Sequence, residues 1–385
     1  MPDRLFTPRF FVMCGFTFTV FLSVFQLLPP APFHIIDLGG STFASGLFLG
    51  FLTFSSALSA PLTGAIADRI GPRRMLLTSS IAITFFSIVY AILADHRWML
   101  ALVVVHGIFW SGLLSASSAY MINLLPERRR AEGIGYWGLT TVAALAVAPT
   151  IGFWIYRRGW VWLCVVSAAL NVLMAIIAWF LKEQPVAAAH ERTGGLLEWR
   201  VLAISGTLFL YSFGYGGITS FTALYAEANR ITPRAIYLTT LAIVVLLTRP
   251  MAGRLGDRWG YKRVFVPCLV LITAGLTCLA FGGSKPLLIA SAILFGMGFG
   301  TSYPVYVGYV MDDVSASRRG AAFGAILAAF DTGVGTGSTS MGWLIQHHGF
   351  RSAFGVAAAL SALAVPYFLM MDRILHKLPE SPIAD

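Results

Sequence analysis

The chain has 385 residues, 57% apolar and 11% charged, with a mean hydropathy of +0.76 and a net charge of +10. A soluble domain carries roughly 25% charged residues, so these values exclude a disordered chain and an ordinary soluble protein and leave a polytopic membrane protein. The basic residues stand in short clusters between apolar runs, the pattern of membrane loops, so no nucleic-acid partner is expected.

Twelve apolar stretches follow one another at 10–30, 43–64, 74–94, 98–124, 132–156, 160–181, 200–225, 235–252, 263–282, 286–311, 320–345 and 352–374. Unbroken runs of this length read as helices; the strands of a membrane barrel would be shorter and alternate in polarity. At about 20–24 residues each, the spans leave no room for a sizeable soluble domain, so function must reside in the helix bundle. Arg4 and Arg9 before Phe10 to Leu28 resemble a signal peptide, but the run is long for one and is read as the first span. Pro29, Pro30, Pro126, Gly159, Pro185, Pro233, Gly283 and Gly349 mark span ends.

Lys and Arg divide 20 to 7 between alternate connections, with Arg249, Arg254, Arg258, Lys262 and Arg263 assigned to one of the rich ones. That asymmetry places both termini in the cytoplasm and makes the span count even. The longest polar stretch, 182–198, is the expected cytoplasmic linker between an N-terminal bundle, 1–181, and a C-terminal bundle with a short tail, 199–385. Cys14, Cys164, Cys268 and Cys278 all fall in apolar runs without metal or redox spacing and read as small buried hydrophobes.

An internal repeat organises the chain. Gly64-x-x-x-Asp68-Arg69-x-Gly71 recurs as Gly253-x-x-x-Asp257-Arg258-x-Gly260, 189 residues later. Pro61 and Pro250, Gly107 and Gly296, Arg129-Arg130 and Arg318-Arg319, and Gly135 and Gly324 obey the same offset. Two six-span halves joined on one side are parallel repeats, related by an axis along the membrane normal. The loop from Gly64 to Arg74, with Arg73 in it, resembles the signature loop of the major facilitator superfamily between helices 2 and 3. Its copy stands between helices 8 and 9, where that superfamily repeats it.

The resemblance implies an all-α fold of twelve transmembrane helices in two pseudo-symmetric six-helix bundles, with alternating access. It also implies a gating role for both Asp-Arg loops. Asp68 would face the positive N-terminal end of helix 11, near Ser317 to Gly320, and Gly64 and Gly253 would let helices approach closely. Helix 5 carries Gly135-x8-Ala144-x3-Ala148-Pro149-x2-Gly152, similar to a spacing typical of antiporting exporters, with alanine at two glycine positions. In helix 4, Val103 stands where drug–proton antiporters resembling this chain carry an arginine. His106 remains as a group able to titrate, or as a histidine bonded to a neighbouring helix.

Asp331 lies near the middle of span 11. A carboxylate at that depth costs about 2.5–3.5 kcal/mol and commonly marks an ion or substrate path. It is a candidate proton carrier, or a structural carboxylate held by Ser55, Ser56 or Ser59. Helices 1, 4, 7 and 10 line the central path in the superfamily, which makes Gln26, Trp110, Ser111, Tyr211, Tyr215, Tyr303 and Tyr306 cavity candidates. No cation is expected deep in that cavity, which disfavours anionic solutes. No nucleotide loop, metal site or enzymatic constellation is found; Gly296-x-Gly298-x-Gly300 is a packing feature, and His347-His348 project apart. The sequence thus predicts a monomeric transporter without cofactor, embedded in a bilayer such as a bacterial inner membrane. It would exchange protons for a small organic solute in efflux. Alternatives are proton-linked import of a neutral solute such as a sugar, and a non-transporting sensor or intramembrane enzyme.

Overall fold

Every apolar stretch becomes helix in the computed structural model, which describes residues 4–126, 129–183, 199–312, 314 and 318–377. Most of the expected linker, 184–198, and the tail, 378–385, lie outside those residues. The first half comprises α1 (Pro8–Leu27), α2 (Ala31–Asp37), α3 (Thr42–Ile70), α4 (Pro72–Ile92), α5 (His96–Leu124), α6 (Arg130–Tyr156) and α7 (Trp160–Phe180). The second comprises α8 (Trp199–Ile204), α9 (Gly206–Ala228), α10 (Ile236–Trp259), α11 (Tyr261–Phe281), α12 (Lys285–Asp312) and α13 (Arg319–Lys377). Gly349, at φ 78° and ψ 171°, divides α13 into spans 11 and 12.

Ten helices are long and apolar enough to cross a membrane among the described residues. That number counts α13 once and omits α9, whose Gly, Ser, Thr and Tyr residues dilute its hydropathy. Nearly all of α9 is buried against other helices rather than against lipid, so a more polar sequence is tolerated there. Twelve crossing segments result.

Local chemistry sets the helix ends. Thr7, Ser41 and Asp95 accept hydrogen bonds from the first-turn amides of α1, α3 and α5. The duplicated motifs are not loops, contrary to expectation. Apolar helix-forming residues carry α3 and α10 on through them, so Asp68-Arg69 and Asp257-Arg258 occupy last helical turns. The chain then reverses at Gly71 (φ 90°) and Gly260 (φ 84°), a backbone conformation that only glycine adopts without strain.

The duplication extends to contacts. Arg73, at the start of α4, pairs with Glu183 at 3.2 Å just after α7. Lys262, at the start of α11, pairs with Asp372 near the end of α13, and both partners are displaced by 189 residues. Tyr120 donates to the Lys182 carbonyl at 3.1 Å, and its counterpart Tyr309 donates to Asp372 at 2.6 Å. Each half therefore has the same tether across its basic end. Each half also has its own apolar core. One draws on Leu5 to Leu181 with Val334 added from the other half; the second draws on Val201 to Phe368 with Val142 added in return.

The halves meet along α3 and α13, where small residues bring backbones together. A Cβ on Gly46 would lie 2.3 Å from the Ser338 carbonyl oxygen, one on Gly50 2.2 Å from Thr339 Oγ1, and one on Gly335 2.5 Å from Thr53 Oγ1. Ser338 Oγ donates to the Gly46 carbonyl at 2.8 Å and lies 2.7 Å from Ser220 Oγ. Phe43 N donates to Gln346 Oε1 at 3.1 Å, and Thr150 meets Thr239 at 2.7 Å. Phe33 packs with Phe153, Ala223 and Ala235, under the Arg234 guanidinium.

All these contacts lie in the membrane half away from the chain ends. On the basic face, which carries the chain ends and the Asp-Arg motifs, the duplicated glycines Gly64, Gly135, Gly253 and Gly324 each face open space. The expectation that Gly64 and Gly253 hold helices together is therefore not met in this conformation. The halves are splayed there and sealed at the opposite face, leaving a cleft open to the basic side.

Gly46→Val should wedge the α3–α13 seam apart and invert this preference. With the native cysteines replaced, maleimide labelling of Thr42→Cys should then speed up and that of Gly324→Cys slow down.

Candidate functional site

The cleft ends beneath the seam, and Asp331 stands at its roof. In α13 it shares a face with Val334, Gly335 and Ser338, which touch the first half. One turn nearer the basic side stands Asp331, a half-buried residue. It makes no hydrogen bond or ion pair with any described residue. Ser55 and Ser59 instead donate to carbonyls of their own helix. Twelve residues from the start of α13 puts Asp331 about 18 Å from the basic end of that helix.

The structure adds a group that the loop count concealed. Arg249 lies ten residues before the end of α10, about 15 Å inside the helix at 1.5 Å per residue. It was counted with the basic connection after span 8, but α10 runs through Pro250 to Trp259. Its helix face is set by buried Val245 and Ala252, four residues before and three after it. That face looks inward, and Arg249 lies within electrostatic range of Tyr211, Tyr215 and Tyr303. Tyr303 is within range of both Arg249 and Asp331, yet the two charges form no ion pair. The expectation of a cavity without a deep cation is corrected accordingly.

Between these charges lies an aromatic wall. Tyr215 stacks on Phe299 with ring centroids 4.4 Å apart, and Phe330 packs against Tyr215, Phe299 and Tyr303 at 6.2, 6.1 and 5.7 Å. Ser212 Oγ donates to the Phe330 carbonyl at 3.0 Å and fixes that residue against α9. From the first half, Trp110 packs edge-on to Phe21 at 5.5 Å, and Trp137 Nε1 donates to Thr17 at 2.7 Å. Aromatic residues on separate helices gave no periodic signal that they would assemble, so Phe299 and Phe330 were not foreseen.

Of the cavity candidates, Trp110, Tyr215 and Tyr303 are partly exposed in this region. The others are buried in bundle interiors. Gln26 Nε2 donates to Ser167 at 3.0 Å, beside a network in which Ser23 donates to Asn171 Oδ1 at 2.8 Å and Asn171 donates to Ser87 at 2.9 Å. Ser111 pairs with Thr63 at 3.0 Å, Tyr306 with Ser205 at 2.9 Å, and Tyr211 accepts from Ser302 at 3.4 Å. The alternative reading of His106 is the one the packing matches: it is buried, with Nδ1 3.3 Å from Tyr90 Oη and Phe86 beside the ring.

The remaining motif residues separate by depth. Asp68, Arg69, Asp257 and Arg258 are exposed on the basic face; Tyr261 Oη donates to Asp257 at 3.0 Å, and Arg73 turns aside to Glu183 and the Trp179 carbonyl. Of the stretch Ser317 to Gly320 expected opposite Asp68, Ser317 lies outside the described residues. In α6, Ala144 and Ala148 are fully buried, Pro149 lies inside the helix, and a Cβ on Gly152 would come 2.2 Å from the Gln26 carbonyl oxygen. Gly135, by contrast, faces the open end. The motif therefore packs α6 tightly on α1 only toward the sealed face. Among the described residues no group of His, Cys, Asp and Glu is arranged to hold a metal.

Comparison with known proteins agrees with this architecture. The sequence profile of the Major Facilitator Superfamily matches residues 10–235 and again residues 204–383. An uncharacterized MFS-type transporter of Burkholderia pseudomallei (strain 1106a) is 26% identical over 367 residues, covering 91% of this chain and 89% of the relative. A similarly named protein of Pseudomonas aeruginosa (strain UCBPP-PA14) is 26% identical over 362 residues, covering 91% and 90%. Among solved structures, a point mutant of the nucleoside transporter NupG superposes with a TM-score of 0.78 at 16% identity, covering 94% of this chain and 99% of that one. The human organic anion transporter MFSD10 (TETRAN) gives 0.71 at 18% identity, covering 94% and 100%.

The placement of Gln26 and Asn171 makes them stability residues. Gln26→Leu and Asn171→Leu should each destabilise the detergent-solubilised protein by about 1 kcal/mol, seen as a lower melting temperature with the pH dependence of transport unaltered.

Proposed function

This chain belongs to the Major Facilitator Superfamily, a family of membrane transporters, and on that premise we propose that it is a proton-coupled secondary transporter of a small organic solute. Asp331 is the proton-carrying group. The observation that carries this reading is its position: an unpaired carboxyl, deep in the bilayer, at the roof of a cleft open on one side. Protonation there removes a charge that costs about 2.5–3.5 kcal/mol to hold at membrane depth. A site whose charge changes with access can couple proton movement to the tilt of the two halves. With the basic side taken as cytoplasmic, the structure is the inward-open state, both termini lie in the cytoplasm, and the protein works as a monomer in a bacterial inner membrane.

Two directions of coupling are open to such a site. Proton-driven efflux is supported by the spacing of Gly135, Ala144, Ala148, Pro149 and Gly152 and by the close packing of α6 on α1. Proton-linked uptake is the second reading, and Arg249 favours it, because a cation inside the span can hold an anionic solute whose charge stays balanced when Asp331 carries a proton. The solved neighbours are named for nucleosides and for organic anions, so fold alone does not select the solute.

Reconstituted protein with a trapped pH dye decides between the two. A transported solute added outside at equal pH should acidify the lumen in cotransport and alkalinise it in exchange. Asp331→Asn should lose this solute-driven pH change in either case, by at least tenfold in initial rate. Retention of the full rate would remove Asp331 from the mechanism.

A further inference from the structure

Arg249 is a guanidinium without a partner. It makes no hydrogen bond or ion pair with any described residue, and it is not seated over an aromatic ring as Arg158, Arg234 and Arg351 are. An arginine inside a span is costly and would ordinarily reach for the interface, yet this one lies within range of tyrosines that are themselves deep in the bundle. The duplication does not repeat it. The residue 189 positions earlier is Ala60, and the counterpart of Asp331 is Val142. Neither charge is part of the duplicated framework, which has alanine and valine at the same places in the first half.

We infer that Arg249 binds the carboxylate of a small aromatic monoanion, whose ring packs on the wall of Tyr215, Phe299 and Phe330, and that this anion crosses together with the proton held at Asp331. The inference rests on the proton-coupled reading given above. Arginine presents a planar fork of donors that matches a carboxylate with two parallel hydrogen bonds. Tyr215 and Phe299 already lie face to face, so an incoming ring meets an apolar surface of fixed geometry.

Charge balance selects a monoanion and its direction. Charged Arg249 and ionised Asp331 sum to zero in the empty cleft. A bound monoanion with one proton on Asp331 restores zero, so both forms can cross with little net charge in a low-dielectric path. Exchange of a monoanion against a proton would leave one net charge in each crossing form. Among the described residues no further charge lies at this depth on the helices packed against α10 and α13; Arg200 of α8, Lys262 and Arg263 of α11, and Lys285 and Asp312 of α12 stand at or near helix ends. α3 carries no charged side chain between Thr42 and Ala67, α9 none between Gly206 and Ala226, and α6 none between Gly133 and Tyr156. From α12 the facing group is Tyr303, and from α10 it is Arg249.

The test is ligand-dependent melting and scintillation binding on the full chain in detergent, with benzoate, phenylacetate, 4-hydroxybenzoate and indole-3-acetate, each beside its neutral amide. At least one carboxylate should raise the melting temperature, with its amide at least tenfold weaker. Arg249→Gln should weaken that carboxylate at least tenfold, and Arg249→Lys should recover part of the loss while eluting as the same monodisperse species. Affinity should rise as pH falls in the native chain, since protonation of Asp331 removes a like charge. In Asp331→Asn it should be high and flat with pH. No shift with any of the four acids, equal binding of acid and amide, or full binding by Arg249→Gln overturns the inference. Carboxylate binding that needs Arg249 but shows the same pH dependence in Asp331→Asn would leave the anion site standing and overturn the proton role of Asp331 instead.

Discussion

Close backbone approach between α3 and α13 is the constraint from which the rest follows. Apolar side chains gain little by leaving lipid for another helix, so spans associate where small residues let main chains touch. Gly46, Gly50, Gly335 and Ser338 supply that contact in one half of the membrane only. The same two helices diverge toward the basic face, and the cleft is the space between them. Asp331 owes its position to being one turn beyond the last contact.

A second consequence concerns the division of labour between the halves. The tethers Arg73–Glu183 and Lys262–Asp372, with Tyr120 and Tyr309 beside them, are structural and therefore occur twice. Arg249 and Asp331 occur once. Among the described residues the first half contributes the aromatic groups Phe21, Trp110 and Trp137 here, while the two charges stand on α10 and α13. In the proposed mechanism one half carries the charged site while the other moves against it as a largely apolar wall.

Legibility in the sequence differed from residue to residue. The positions of the spans followed from apolar run length, and their pairing followed from a single repeated offset. Asp331 was visible because an acidic residue inside an apolar run needs a reason. Arg249 was not, because a basic residue preceding a proline and a basic cluster looks like the start of a loop. The stretch 235–252 already contained Arg249, and the continuation of α10 to Trp259 sets its distance from the helix end. Gln26 and Ser111 looked like cavity residues by helix membership, yet each turned to a partner inside its own bundle, Ser167 and Thr63. Helix rotation decides such cases, and a hydrophobic helix surrounded by other helices carries no amphipathic stripe from which rotation could be read.

The amino-acid sequence by itself determined that the chain crosses a membrane and that it does so as two copies of one six-helix plan. These properties depend on local composition and on spacing along the chain, and both survive without knowledge of neighbours. Only the tertiary structure decided which face is sealed, which aromatic rings form the wall, and that Arg249 and Asp331 lie near the same tyrosine without forming an ion pair. Those properties depend on how helices far apart in sequence are rotated and tilted against one another. Small differences in side-chain volume at the seam set that geometry, and no periodicity records them.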